Sequence, residues 1–110
     1  VTIAHSRTKE LKNISKNAEI LVTAIGKPEL ITKEYIKKNS LVIDVGINRI
    51  IREGKSKLVG DIKFDNALSQ VKKITPVPGG VGPMTIACLM HNTIKTAFLL
   101  RNQNFREISV

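Results

Sequence analysis

Few residues in this 110-residue chain are of a type and spacing that could do chemistry. Asp44, near the end of the apolar run Leu41-Val42-Ile43-Asp44-Val45, is a candidate carboxylate. It precedes the strand end, so a satisfied buried acid is favoured over a catalytic one. Cys88 has no base beside it in sequence and reads as a packing thiol. His5 and His91 are isolated, and His91 reads as a surface helix residue. Neither zinc spacing nor a nucleophile–base pair can be assembled from these groups. No catalytic residue and no metal site is therefore assigned, and two stretches remain that could bind.

The first is His5-Ser6-Arg7, at the end of a short β-prone run. An NAD-preferring fold places an acid at such a strand end to hold the ribose hydroxyls. Here a hydroxyl (Ser6) and cations (Arg7, then Lys9) stand instead, which suits a 2′-phosphate and hence NADP. Ser6 would serve equally well as a helix cap. The second stretch is Ile74-Thr75-Pro76-Val77-Pro78-Gly79-Gly80-Val81-Gly82-Pro83-Met84-Thr85. It concentrates three of the four prolines and three of the seven glycines, more backbone restraint than a connector needs. Pro78-Gly79 suits a type II turn with Gly at positive φ, Gly80 and Gly82 permit close backbone approach, and Pro83 fits a first helical turn. A tight packing turn is the plain alternative. The run from Gly80 to Thr85 resembles half of G-x-G-x-x-G, but its third glycine is Thr85 and Pro83 interrupts it, so it is rejected as a pyrophosphate site.

The elements that must position these stretches alternate. Val1-Thr2-Ile3-Ala4 reads as a strand that starts at the first residue, with no initiator Met, as though the chain has lost its beginning. Ser6 or Thr8 can cap a helix over 9–17. Glu19 to Ile25 and Leu41 to Val45 are nearly continuous apolar runs, as expected of strands buried on both faces. Thr32 can cap a short helix over 33–38. A hairpin is predicted around Arg52-Glu53-Gly54-Lys55-Ser56-Lys57. A helix over 64–71 follows, with Asp61 or Asp65 favouring its dipole, then a strand over 71–75. The longest helix is predicted over 84–101, with Ile86, Met90, Ile94 and Ala97 as its apolar stripe. In the tail, Ile108 and Val110 are expected to dock or to fray. This order predicts an α/β fold with a largely parallel sheet, whose ligands bind outside the carboxyl ends of the strands.

Composition narrows the classes. Hydrophobic residues make up 42% and charged residues 25%, an ordinary globular balance rather than a disordered one. No apolar run reaches the roughly 18–20 residues of a membrane span, and no signal peptide is visible. A single cysteine excludes an intrachain disulfide and fits a reducing compartment. Net charge is +9, yet the basic residues are scattered and aromatics are too few to interleave with them as stacking platforms. A solvated surface is favoured, a phosphate-bearing ligand comes next, and nucleic acid is disfavoured.

The Ile74 to Thr85 loop resembles the signature loop of the bifunctional methylenetetrahydrofolate dehydrogenase/cyclohydrolase family. His5-Ser6-Arg7-Thr8, the run from Ile20 to Pro28, Val42-Ile43-Asp44-Val45-Gly46-Ile47-Asn48-Arg49 and Val59-Gly60-Asp61 also resemble family blocks, in family order. The resemblance implies a Rossmann-like NADP-binding domain over 1–101 with a mostly parallel sheet, incomplete at its N-terminal side, and a tail over 102–110. The N-terminal folate domain with its catalytic lysine and tyrosine, and the Gly-Arg-Ser phosphate loop, are expected on chain outside these residues. It implies cofactor contacts at Ser6 and Arg7 (2′-phosphate), Ala24, Ile25 and Gly26 (cleft lining), Gly46 and Ile47 (nicotinamide end) and Thr85 (nicotinamide side). Pro78, Gly79 and Gly80 are implied to face the folate.

The implied chemistry is oxidation of 5,10-methylenetetrahydrofolate by NADP⁺, then hydrolysis of the methenyl product to 10-formyltetrahydrofolate. The implied setting is a cytoplasmic homodimer in one-carbon metabolism and purine biosynthesis, with tetrahydrofolate derivatives as partners, and neither nucleic acid nor membrane. Without the missing chain, these 110 residues are expected to be inactive alone. The alternative is a short non-catalytic NADP-binding or dimerisation module.

Overall fold

A computed structural model describes residues 1–106; Ile108 and Val110 lie outside the described residues. The chain forms α1 (Leu11–Ser15), β1 (Ile20–Thr23), β2 (Leu41–Asp44), β3 (Asn48–Arg52), β4 (Lys55–Val59), α2 (Phe64–Leu68), β5 (Lys73–Ile74) and α3 (Val81–Leu100). Strands β1, β2 and β5 make one parallel sheet in that order, with Ile20 opposite Leu41 and Leu41 opposite Lys73. The fold is α/β, as the alternation predicts. Strands β3 and β4 form the predicted hairpin. Its Glu53-Gly54 turn has positive φ at both residues, 54° and 72°, the geometry a two-residue hairpin turn needs to match strand twist.

The core lies on one face of the sheet. Ile31, Ile36, Val42, Ile62 and Ala67 are buried together, with Leu21, Tyr35, Val71 and Ile74 packed against them. Ile36 explains why the helix expected over 33–38 is only a 3-10 turn over Lys33–Tyr35. Its backbone is already extended, and its side chain drops into the core at 1% exposure. The segment after β1 runs beside 60–63: Glu29 donates to Gly60 O, Ile31 to Asp61 O and Lys63 to Ile31 O. An ion pair between Arg52 and Glu29 at 2.6 Å ties the hairpin to the same segment.

Several expectations are corrected. Val1 to Ala4 form no strand and are exposed, because a β-prone run is stable only against a partner and none of the described strands pairs with it. Neither Ser6, Thr8 nor Thr32 caps a helix; α1 starts from Glu10 in the left-handed region, and Thr8 Oγ1 accepts the His5 N–H instead. Strands β1 and β2 are covered on one face only, with Ile20 and Val22 more than half exposed.

Helix α3 buries none of its residues, so the Ile86, Met90 and Ile94 stripe stays exposed. Periodicity marks a face that is fit for burial but cannot supply the surface that covers it. Cys88 on this helix is exposed rather than packed. His91 is half-buried, edge-on to Phe105, which also meets Phe98. With α3 uncovered, the Cα radius of gyration is 17.2 Å, against about 13 Å for a compact domain of this length.

Two buried carboxylates connect the strand ends. Asp44, at the end of β2, accepts hydrogen bonds from Thr23 Oγ1 and from the backbone N–H groups of Gly46, Asp61 and Ile62. Asp61, fully buried, accepts from the N–H groups of Ile25, Gly26 and Lys27 and from Asn48 Nδ2. Among the described residues no buried side-chain polar atom lacks a partner. Glycines make room for both acids: a Cβ on Gly60 would overlap the Asp44 carboxylate, and one on Gly46 would overlap that of Asp61. Burial pushes the Asp61 carboxyl up, but the bonds from Asn48 and the Ile25, Gly26 and Lys27 amides outweigh it and hold the group below the ordinary carboxylate range.

Two outcomes follow from this network. Gly60→Ala should destabilise the chain by about 1–3 kcal/mol, read as a lower urea midpoint. Gly82→Ala, where an added Cβ meets nothing within 4 Å, should be neutral or slightly stabilising. Equal midpoints for both variants would contradict the packing account. A carboxyl depressed in the folded state stabilises above its unfolded pKa and ceases to do so as pH falls through the folded value. The urea midpoint should therefore drop as pH falls below about 4, the ordinary Asp value, and drop less in Asp61→Asn.

Candidate functional site

The carboxyl ends of β1 and β2, with the loop that follows β5, gather on one side of the sheet, where open α/β folds bind their ligands. Ala24, Ile25 and Gly26 leave β1 as one lip. Gly26 has φ of 70° and nothing within 4 Å of a Cβ position, so its backbone angle and not crowding calls for glycine. That turn aims consecutive N–H groups at one point, and the Asp61 carboxylate occupies it at 2.6 Å from Ile25 N, 3.0 Å from Gly26 N and 3.0 Å from Lys27 N. Converging amides of this kind commonly receive a phosphate. Here an internal acid fills the position.

Gly46 and Ile47 form the second lip. Gly46 is buried, its N–H held by Asp44 Oδ1 at 3.0 Å, and Ile47 is exposed. Asn48 donates to Asp61 Oδ1 at 2.8 Å, so the Asp61 carboxylate bonds to both lips, the second of which Asp44 also holds. The expectation that Asp61 serves the α2 dipole is corrected, since its carboxylate turns towards β1.

The loop after β5 closes on the same network. Thr75 donates to Val42 O, and its Oγ1 accepts the Asp44 N–H at 2.8 Å. The Val77–Pro78 peptide is cis, and Gly79 takes the predicted positive φ, 95°. Gly80 sits close against Pro76 O, as its glycine character suggests, whereas Gly82 has open space around it. Pro78 and Gly79 are exposed and Gly80 is half-buried. Thr85 lies exposed on the first turns of α3, its hydroxyl bonded back to Val81 O at 3.1 Å.

Ser6 and Arg7 are exposed on a turn in which Thr8 N–H donates to His5 O and Arg7 N–H to His5 Nδ1. Those bonds stay within the turn, and no acid stands in residues 5–9. The structure thus joins Ile25, Gly26, Gly46 and the Thr75 side of the loop through two carboxylates. It leaves Ser6, Arg7 and Thr85 on separate elements.

Asp44 has the structural role the sequence favours. The sequence alone does not mark Asp61 as a site residue. The available signal was the placing of Gly60 directly before Asp61 and of Gly46 two residues after Asp44. With every oxygen engaged and the Asp61 carboxyl held ionised, this pair shapes a cleft and does not move protons. Among the described residues no cluster of His, Cys, Asp and Glu could hold a metal, and no helix is long and apolar enough to cross a membrane.

Comparison with known proteins places the domain in a family. Residues 1–101 match the model of the tetrahydrofolate dehydrogenase/cyclohydrolase NAD(P)-binding domain. The bifunctional protein FolD of Cereibacter sphaeroides is 64% identical over 94 residues, 86% of this chain and 32% of the relative. A crystal structure of the Trypanosoma brucei methylenetetrahydrofolate dehydrogenase-cyclohydrolase, complexed with NADP and an inhibitor, is 42% identical, with a TM-score of 0.76 over 84% of this chain and 33% of that one. The Thermoplasma acidophilum dehydrogenase/cyclohydrolase is 38% identical, with a TM-score of 0.82 over 93% of this chain and 36% of that one. The chain spans about a third of the length of these relatives. Strand-end cleft, signature loop and domain match agree: the chain belongs to the tetrahydrofolate dehydrogenase/cyclohydrolase family, in its NAD(P)-binding domain.

Proposed function

We propose that this chain is the NADP-binding part, over 1–101 with a tail over 102–110, of a bifunctional enzyme that acts on tetrahydrofolate derivatives. That enzyme oxidises 5,10-methylenetetrahydrofolate with NADP⁺ to the 5,10-methenyl form and hydrolyses the latter to 10-formyltetrahydrofolate. The observation that carries the reading is the match along residues 1–101, which includes the Pro78-Gly79-Gly80 loop, to a domain whose family description and similar solved structures name both activities. We place the enzyme in one-carbon metabolism and purine biosynthesis, as a cytoplasmic homodimer.

The residues present suit the cofactor. Ser6 and Arg7 offer a hydroxyl and a cation on an exposed turn with no neighbouring acid, which is the donor set for a 2′-phosphate. The Ile25–Gly26 and Gly46–Ile47 lips offer close backbone and exposed apolar side chains to the nicotinamide end, with Thr85 near it. Pro78, Gly79 and Gly80 present a rigid wall to the folate ring. Bound NADP⁺ supplies the hydride acceptor, and the protein's part is to fix ring positions and limit water. None of the described side chains is set up as the acid or base, so the 110 residues alone should show no turnover.

The 2′-phosphate assignment has a direct test. In the full-length protein, Ser6→Asp should weaken NADP binding on the order of tenfold, by like-charge repulsion screened at the surface. NAD binding should change little. Titration with each cofactor reads the difference, and equal losses for both would count against Ser6.

A further inference from the structure

We infer that Asp61 is a positioning residue for the nicotinamide end of the cofactor, setting the separation of the two cleft lips from a single carboxylate. The inference rests on the cofactor reading above and extends it to a residue that contacts no ligand.

The parallel sheet's own hydrogen bonding does not reach the β1 lip, whereas the second lip leads into β3, where Asn48 pairs with Val59. The β1–β2 ladder runs out where Val45 N–H meets Thr23 O. Beyond it, the N–H groups of Ile25, Gly26 and Lys27 find their acceptor in Asp61, within 2.6–3.0 Å. On the far side, Asn48 brings the backbone next to Ile47 to Asp61 Oδ1 at 2.8 Å. Asp61 is itself fixed, since its N–H and that of Ile62 both end on the Asp44 carboxylate, at 3.1 and 3.0 Å. One post therefore bonds to both lips, alone at the β1 lip and together with Asp44 at the second. What the lips present outward are the apolar side chains of Ile25 and Ile47, 42% and 64% exposed. Two aliphatic groups at a fixed spacing suit the faces and edge of a planar ring. The filled amide turn also keeps the cofactor's phosphates out of this end, so the occupying carboxylate sets orientation as well as spacing. Fixing the lips before binding removes the cost of ordering them afterwards.

The test compares two probes in the full-length protein: NADP, and 2′,5′-ADP, which carries the 2′-phosphate end without the nicotinamide. Asp61→Asn puts an amide NH₂ against N–H donors and frees the lips. It should weaken NADP by about tenfold, in line with the cost of small misplacements in a positioned site, and leave 2′,5′-ADP unchanged. Asn48→Ala, which removes one tie and keeps the acid, should give a smaller loss in the same direction and guards against a variant that fails to fold. Equal weakening of both probes in Asn48→Ala would show a general structural effect and overturn the inference. So would unchanged NADP affinity in both variants. If the parent protein bound neither probe, the cofactor reading would fall and this inference with it, an outcome distinct from those two.

Discussion

Two carboxylates taken out of water hold this domain together where it matters for function. A buried carboxyl is costly unless its lone pairs are filled, and Asp44 and Asp61 fill theirs with backbone amides and one neutral side chain each rather than with cations. That choice has a geometric consequence. Each amide belongs to a loop that leaves a strand, so satisfying the acids fixes the loops. Asp44 binds the β2 end, the 61–62 backbone and, through its own N–H, the Thr75 hydroxyl of the signature loop. Asp61 then passes the constraint to β1. The hydrophobic core lies beneath and supplies cohesion, but it does not set the positions of the strand ends.

This arrangement also accounts for two glycines that are unremarkable as turn residues. Gly46 and Gly60 are buried, and side chains there would overlap the carboxylates. Their role is to admit an acid into close backbone contact, unlike Gly26, Gly54 and Gly79, which supply positive φ. Glycine thus serves the cleft in two ways, by shape of backbone at the lips and by absence of side chain behind them.

Much of the fold was legible in the sequence. The β1 and β2 runs and the hairpin announce themselves by apolarity and by Glu53-Gly54, because these are local signals. Extents beyond a strand's own residues were less legible. Continuous apolarity in Ile20 to Val22 says that both faces are fit for burial, not that both are covered by the described residues. The stripe on α3 and the β-prone Val1 to Ala4 fail for the same reason, since each needs a partner that its own pattern cannot provide. Of the candidate site, the strand-end lips and the proline–glycine loop were readable from residue types. The Asp61 post was not, because an acid beside glycine before a helix is equally a dipole partner, and only the parallel run of 29–31 beside 60–63 decides otherwise.

The central claim is that the Asp61 carboxylate fixes the β1 lip. Amide hydrogen exchange at Ile25, Gly26 and Lys27 tests it most directly, because these exposed residues leave the ladder and are bonded to that carboxylate. The account predicts protection comparable with the sheet amides of Leu21 and Ile43, lost at all three positions in Asp61→Asn while the sheet stays protected. Exchange of these amides at the rate of an unstructured loop in the parent protein would contradict it.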